Sequence, residues 1–346
     1  MAASQFAQKL LRWHESYERN MPWKTRTDAY AIWLSEIILQ QTRVEQGLPY
    51  YVRFLETFPT VHDLAKADEQ VVMKLWEGLG YYSRARNLHF TAKYISEQLD
   101  GLFPDTYQGL LALKGVGPYT AAAIASFAFH LPHAVVDGNV FRVLARYTAN
   151  FTDIGSTLGR KEFTALANKL MARDEPAKYN QALMDLGAMI CKPTHADCAA
   201  CPVSSDCCAL AQNIIHQLPV KLKKIKRKTR HFYYFVFRKG ATTWIQKRTK
   251  KDIWQSLFEF PHLESHENIP EQTIQEYLRN ITPDATVTQQ IGPLTQLLTH
   301  QKIIGHFLVL EVQTSPKLND IIPVDRDLLS TFPFPKMMAA LVSSLV

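Results

Sequence analysis

The sequence predicts a helical region followed by a separate α+β domain, on three observations. From Gln5 to about Leu210, apolar residues recur at helical spacing with Pro and Gly as punctuation. From His231 onward the period changes to two, in runs rich in aromatic and β-branched residues. Between the two regions, residues 221–230 read Lys-Leu-Lys-Lys-Ile-Lys-Arg-Lys-Thr-Arg, seven basic residues and no acid. The chain of 346 residues is long enough for two domains of about 150 residues each. At 47% hydrophobic and 21% charged residues it has the material for a sizeable core, which excludes global disorder. The expected division is a helical region over 1–215, a basic linker over 216–230 and a second domain over 231–346.

Within the first region, Ile32, Ile37, Ile38 and Val44 fit one side of a helix. Val71, Val72, Leu75 and Leu79 fit another, and Leu110, Leu111 and Leu113 a third. Breaks fall at Pro22, Pro59, Gly78–Gly80, Pro104 and Gly115–Pro118. In the second region, His231–Phe237, Thr242–Arg248 and Ile303–Val312 read as strands, with a helix over Glu271–Asn280.

The net charge of +7 favours an anionic partner such as nucleic acid, and the run at 221–230 carries an equal excess. Such a run reads as a linker held against a phosphate backbone, although a solvated linker or a nuclear address has the same composition. Met1 to Asn20 holds no apolar signal core. The longest apolar stretch, Ala121 to Val136, is broken by His130, Pro132 and His133. A soluble intracellular chain without membrane contact is therefore expected. A bacterial cytoplasm, with association to the nucleoid, is the default location, and the nucleus would be the eukaryotic counterpart.

Four segments carry chemistry. In Leu113-Lys114-Gly115-Val116-Gly117-Pro118-Tyr119, a helix ends, two glycines turn the chain and Pro118 suits the first turn of a new helix. Gly115 and Gly117 let the backbone approach a phosphate, which the free N–H groups of the new helix can bind. This is a helix-hairpin-helix, although an ordinary tight corner would read alike. Beyond it, Val135-Val136-Asp137-Gly138-Asn139 places an acid where a helix N-cap would also stand. The five cysteines all lie between Cys191 and Cys208, as Cys191-x6-Cys198-x2-Cys201-x5-Cys207 with Cys208 to spare. A disulfide framework would spread them out. Only Cys198 and Cys201 form a CxxC unit, so zinc fits less well than a [4Fe–4S] cluster on Cys191, Cys198, Cys201 and Cys207. The fourth segment runs from Trp33 to Val44, where Glu36, Gln40 and Arg43 would form a polar stripe on one helix.

Together the hairpin and the Asp137 segment resemble the helix-hairpin-helix superfamily of DNA glycosylases. The cysteine spacing resembles the iron–sulfur loop of its endonuclease III and MutY branch. The run around Glu36 resembles the catalytic helix of MutY-type adenine glycosylases. The implied fold is an all-α helix-hairpin-helix catalytic region with a cluster loop, plus a C-terminal α+β Nudix-like domain. By this resemblance Glu36 protonates adenine N7 and Asp137 stabilises or captures the oxocarbenium at C1′, a division of labour known from retaining glycosidases. Tyr119 and Asn139 assist them. Trp23, Leu39 and Gln40 belong to the base-binding surface, Gln41 and Tyr81 are wedge candidates for base flipping, and Gln181 faces the adenine edge. Where endonuclease III-type enzymes carry a Schiff-base lysine, this chain has Tyr119, which implies base removal without an efficient lyase step.

The resemblance continues, more loosely, past Arg230. Ile253-Trp254-Gln255-Ser256-Leu257-Phe258-Glu259-Phe260-Pro261 resembles a strand of the Nudix-like reader domain. Leu298-Thr299-His300 stands where many relatives carry Phe-Ser-His, so the three are the expected readers of 8-oxoguanine, with Leu298 departing from the pattern. No glutamate-rich metal-binding helix of a Nudix hydrolase occurs. The implied partner is duplex DNA with adenine opposite 8-oxoguanine or guanine, the product an abasic site, and the protein a monomer.

Overall fold

The computed structural model describes residues 4–17, 26–222 and 227–345. The chain divides into two compact units, one of residues 1–66 and 87–223, the other of residues 67–86 and 224–346.

The helical run is α1 (Gln5–His14), α2 (Ala29–Leu39), α3 (Val44–Thr57), α4 (Val61–Lys66), α5 (Glu69–Leu75), α6 (Ser83–Gln98), α7 (Tyr107–Ala112), α8 (Pro118–Phe127), α9 (Gly138–Tyr147), α10 (Thr157–Leu170) and α11 (Pro176–Asp185). Side-chain oxygens set several starts. Ser4, Asp28, Thr106, Asp137 and Ser156 each accept a hydrogen bond from a first-turn N–H of the helix that follows. Phe6 and Leu10 of α1, Val143 and Leu144 of α9, Phe163 of α10 and Leu183 of α11 share one core. Helix α8 is buried on every face by small residues, Ala121 to Ala125 with Ile124, which lets α2 and α7 close on it.

One helical expectation needs correction. The segment Trp33–Val44 is not one helix: α2 stops at Leu39, Gln41 adopts a left-handed φ of 56°, and Arg43 caps α3. The stripe of Glu36, Gln40 and Arg43 is therefore broken, and Glu36 stands on a helix buried from Tyr30 to Ile38. Helical spacing alone does not reveal a left-handed break at a residue other than glycine.

The second unit is a mixed sheet of β1 (Lys228–Lys239), β2 (Thr242–Lys247), β3 (Phe258–Glu259), β4 (His262–Ser265), β5 (Thr286–Leu297), β6 (Gln301–Glu311) and β7 (Ile321–Asp325). Its path runs β3-β2-β1-β6-β5, with β4 on β1 and β7 on β2. The β1–β6 pair is parallel, from Lys228 opposite Gln301 to Arg238 opposite Glu311. Phe235 and Phe237 of β1 pack against Ile274, Leu278 and Ile281 of the next helix, α12 (Glu271–Ile281). The chain ends in α13 (Lys336–Leu345). Residues 253–261 form a strand only at Phe258–Glu259, because Trp254 and Ser256 hold left-handed φ values of 60° and 70°. Strand β5 was not legible: it is mostly exposed, and its Thr- and Gln-rich sequence lacks apolar alternation.

The domain boundary also differs from the expected one. Residues 67–86 belong to the sheet unit, although they read as part of the helical region. Lys74 Nζ donates to the Phe332 carbonyl at 3.0 Å, and Phe334 N–H donates to Glu77 Oε1 at 2.8 Å. Arg86 Nη1 donates to the Gln255 carbonyl at 2.6 Å, and Ser256 Oγ to Glu69 at 3.1 Å. Helix α6 begins in this unit and continues in the first.

Asn180 of α11 supplies a test of the helical unit. It is fully buried; Nδ2 donates to Ser126 Oγ and the His133 carbonyl, and Oδ1 accepts from Val135 N–H. Truncation strands three buried polar groups, so Asn180→Ala is expected to cost about 2–4 kcal/mol and to lower the thermal midpoint of the full chain by several degrees. A midpoint within a degree of the parent would overturn this role.

Candidate active site and cysteine centre

Five expected site residues from separate elements meet in one cavity of about 340 Å³: Glu36 of α2, Tyr119 of α8, Asp137 and Asn139 at the start of α9, and Gln181 of α11. Leu39 lines the same cavity. Asp137 both caps α9 and lines the cavity, and its two carboxyl oxygens are used differently. Oδ1 accepts from Val140 N–H at 2.8 Å, while Oδ2 accepts from Asn139 Nδ2 at 2.9 Å.

The two carboxyl groups have unequal surroundings. Burial raises the Glu36 carboxyl to about 7; the Tyr119 hydroxyl opposes the rise and the charge of Asp137 adds to it. Burial also raises Asp137, but Val140 N–H, Asn139 and the Arg142 guanidinium favour its charged form. Asp137 therefore ionises first and Glu36 keeps its proton longer. Burial drives the Tyr119 phenol well above its ordinary value, and the neighbouring carboxyls push it further. Its hydroxyl also points at Met184 Sδ, 3.8 Å away.

The hairpin lies in the same unit. Gly115 has φ +83°, and a Cβ there would stand 2.8 Å from Asn87 Cβ, so the turn requires glycine twice over. Gly117 caps α8 with nothing within 4 Å of the position a Cβ would take. The first-turn N–H groups of this ten-residue helix follow directly on that open position. Gln40 lies outside the cavity lining; its Nε2 donates to Thr120 Oγ1 at 3.0 Å, tying the end of α2 to α8. Gln41 occupies the left-handed turn beyond it. Trp23 lies outside the described residues.

The remaining expected residues gather in the second unit. Tyr81, in a left-handed conformation with φ 48°, lines a cavity of about 1060 Å³ together with Leu298, Thr299 and His300. The hydroxyls of Tyr81 and Thr299 share a hydrogen bond of 2.5 Å.

Cys191, Cys198, Cys201 and Cys207 line one small cavity, and Cys208 is exposed outside it. Among the described residues no group of three or more His, Cys, Asp or Glu stands where it could hold one metal ion. The four thiols thus share a space without converging on one point. Burial pushes the Cys201 thiol up to about 11, with the Val203 N–H opposing. Arg146 Nη1 lies 3.4 Å from Cys191 Sγ, and its guanidinium also donates to the carbonyls of Lys192, Pro193 and Leu218.

Arg142 and Arg146 are linking residues that motif reading missed. Arg142 Nη2 donates to Asn139 Oδ1 at 2.8 Å and to the Gly187 carbonyl at 2.7 Å, while Nε donates to the Cys191 carbonyl at 2.7 Å. Helix α9 thereby joins the Asp137 site to the cysteine loop. The signal was two arginines four apart on the face of α9 that also carries the apolar core residues.

Comparison with known proteins agrees with this arrangement. The family model for HhH-GPD superfamily base excision DNA repair proteins matches residues 34–169, and that for the NUDIX domain matches residues 233–344. An adenine DNA glycosylase of Buchnera aphidicola subsp. Baizongia pistaciae is 36% identical over 259 residues, covering 74% of this chain and 73% of that protein. The Homo sapiens adenine DNA glycosylase is 44% identical over 211 residues, 58% of this chain and 39% of its own length. A thermostable thymine-DNA glycosylase superposes with a TM-score of 0.55 at 28% identity, over 60% of this chain and 95% of that one. Endonuclease III, solved in a non-covalent complex with DNA, shares the fold at a TM-score of 0.51 and 21% identity, over 62% of this chain and 99% of its own. The chain belongs to the adenine DNA glycosylase family, base excision repair enzymes of the helix-hairpin-helix type, here carrying a C-terminal NUDIX domain.

Proposed function

We propose that this enzyme extrudes adenine paired with 8-oxoguanine or guanine from duplex DNA and hydrolyses its glycosidic bond, leaving an abasic site. The observation that carries the reading is the pair of unlike carboxyls in one cavity, Glu36 raised to about 7 and Asp137 held by donors that favour its charge. Adenine leaves poorly unless a ring nitrogen is protonated, and a carboxylic acid that keeps its proton near neutrality can deliver it to N7. As the bond to C1′ breaks, positive charge develops on the sugar. Ionised Asp137, steadied by Asn139, stabilises or captures that centre before water completes the hydrolysis. Tyr119 meets Glu36 with a hydroxyl and holds no amine, so the backbone is left intact.

Recognition divides between the units. The hairpin from Gly115 to Gly117 holds a phosphate, Gln181 and Leu39 contact the base, and Gln41 in the first unit and Tyr81 in the second are each a wedge candidate for the flipped nucleotide's place. Thr299 and His300 read the opposite purine, with Leu298 beside them, and one monomer serves one lesion. Four thiols around one space, Cys191, Cys198, Cys201 and Cys207, with N–H and guanidinium donors toward the sulfurs, support a [4Fe–4S] cluster held by these residues. When bound, such a cluster supplies a rigid cross-link. The chain's own Arg142 and Arg146 then hold α9, and with it Asp137, against that loop.

Single-turnover assays on duplexes with adenine opposite 8-oxoguanine, guanine or thymine test the reading. Strand breaks are expected only after hot alkali and only opposite the two purines; Glu36→Gln should slow them at least a hundredfold. Equal cleavage opposite thymine would refute the mispair assignment. The rate should fall as pH rises through about 7, where Glu36 loses its proton, and fall again on acidification, where Asp137 gains one. A rate flat from pH 5 to 9 would exclude Glu36 as the acid. Iron and sulfide analysis should find about four of each per chain with a visible charge-transfer band. Cys198→Ser should abolish both while Cys208→Ser retains them, and zinc in their place would overturn the cluster.

A further inference from the structure

The cavity of Glu36 carries on its wall a second buried acid–base pair that the chemistry above leaves unused. His14, in the last turn of α1, places Nε2 3.0 Å from Oδ2 of Asp185 on α11, and the two side chains are 12% and 3% exposed. Both residues line the cavity alongside Gln181, which sits one turn before Asp185 on the same helix. Among the described residues the His14 side chain otherwise meets the tilted ring of Trp13, and its second nitrogen, Nδ1, has no hydrogen-bond partner among them.

Such a pair answers a problem that Gln181 cannot solve alone. A 6-amino purine offers N–H donors where a 6-oxo purine offers an acceptor. The Gln181 side chain holds both a carbonyl oxygen and an amide nitrogen, and a half-turn of its amide plane suits it to either base. Discrimination needs a group whose polarity is set in advance. A carboxylate only accepts, so in the singly protonated ring Asp185 fixes the proton on Nε2 and leaves Nδ1 as an acceptor. Burial of Asp185 shields that choice from solvent.

We propose that His14, oriented by Asp185, is a specificity-determining residue that accepts a hydrogen bond from the 6-amino group of the extruded base and so selects adenine over 6-oxo purines. The assignment rests on the adenine-releasing reading above and names what selects the substrate of that same site.

The test compares single-turnover rate constants, which do not depend on the active fraction of a preparation, for full-length parent, His14→Phe and Asp185→Asn. The duplexes carry adenine, hypoxanthine or unsubstituted purine opposite guanine. Unsubstituted purine has no group at position six, so the adenine-to-purine ratio isolates the contact. His14→Phe is expected to lower that ratio about tenfold, the effect of one lost hydrogen bond. In Asp185→Asn the amide can donate or accept, so the ring proton is no longer fixed on Nε2 and the hypoxanthine-to-adenine ratio should rise. A purely structural role would slow all three substrates together and leave both ratios unchanged, which overturns the proposal. If the parent releases no adenine from any duplex, the adenine reading falls and this inference with it. Adenine release by the parent with unmoved ratios in both variants rejects the role of His14 alone.

Discussion

The constraint on which the catalytic unit depends is the position of helix α9. Its N-cap is Asp137, whose Oδ1 accepts the first-turn Val140 N–H while Oδ2 remains on the cavity side with Asn139. One turn on, Arg142 spans Asn139, the Gly187 carbonyl and the Cys191 carbonyl; a further turn on, Arg146 meets the cysteine loop. A guanidinium can do this because its five donors are fixed in one plane and its charge does not titrate away. Close approach is also needed. Gly187 has no Cβ, and one placed there would lie 2.6 Å from Asn139 Cβ.

That placement explains how two acidic side chains of similar intrinsic strength behave differently. Glu36 comes from a helix buried on all sides, so desolvation dominates it. Asp137 comes from a helix start, where backbone and side-chain donors offset part of the same desolvation. The difference arises from where each sits on its helix.

The second unit follows a different logic, in which a short segment remote in sequence completes a sheet domain. Glu69, Lys74, Glu77 and Arg86 each bond to residues of the C-terminal sheet region, and Tyr81 is delivered beside Thr299 by that docking. The left-handed backbone at Tyr81, following glycines at positive φ, is the kind of costly conformation that surrounding contacts must maintain. Arg230 braces the start of β1 by bonding Asp252, Glu264 and Gln301. The residues expected to read the opposite base therefore stand on a supported frame.

Local chemistry made much of this molecule legible in its sequence. Period-two runs marked β1, β2 and β6, capping residues and glycines marked the hairpin, and cysteine spacing marked a four-thiol loop, because each depends on residues close along the chain. The break after α2, the exposed strand β5 and the near absence of a strand at 253–261 were not legible, since a left-handed turn at Gln41, Trp254 or Ser256 depends on tertiary contacts. Sequence also could not show that residues 67–86 leave the helical region, or that Arg142 links Asn139 to the cysteine loop. The identity of the carboxyls was set by sequence, whereas their unequal acidity was set by the fold. Desolvation and donor geometry depend on atoms brought from distant positions, and no spacing along the chain encodes them.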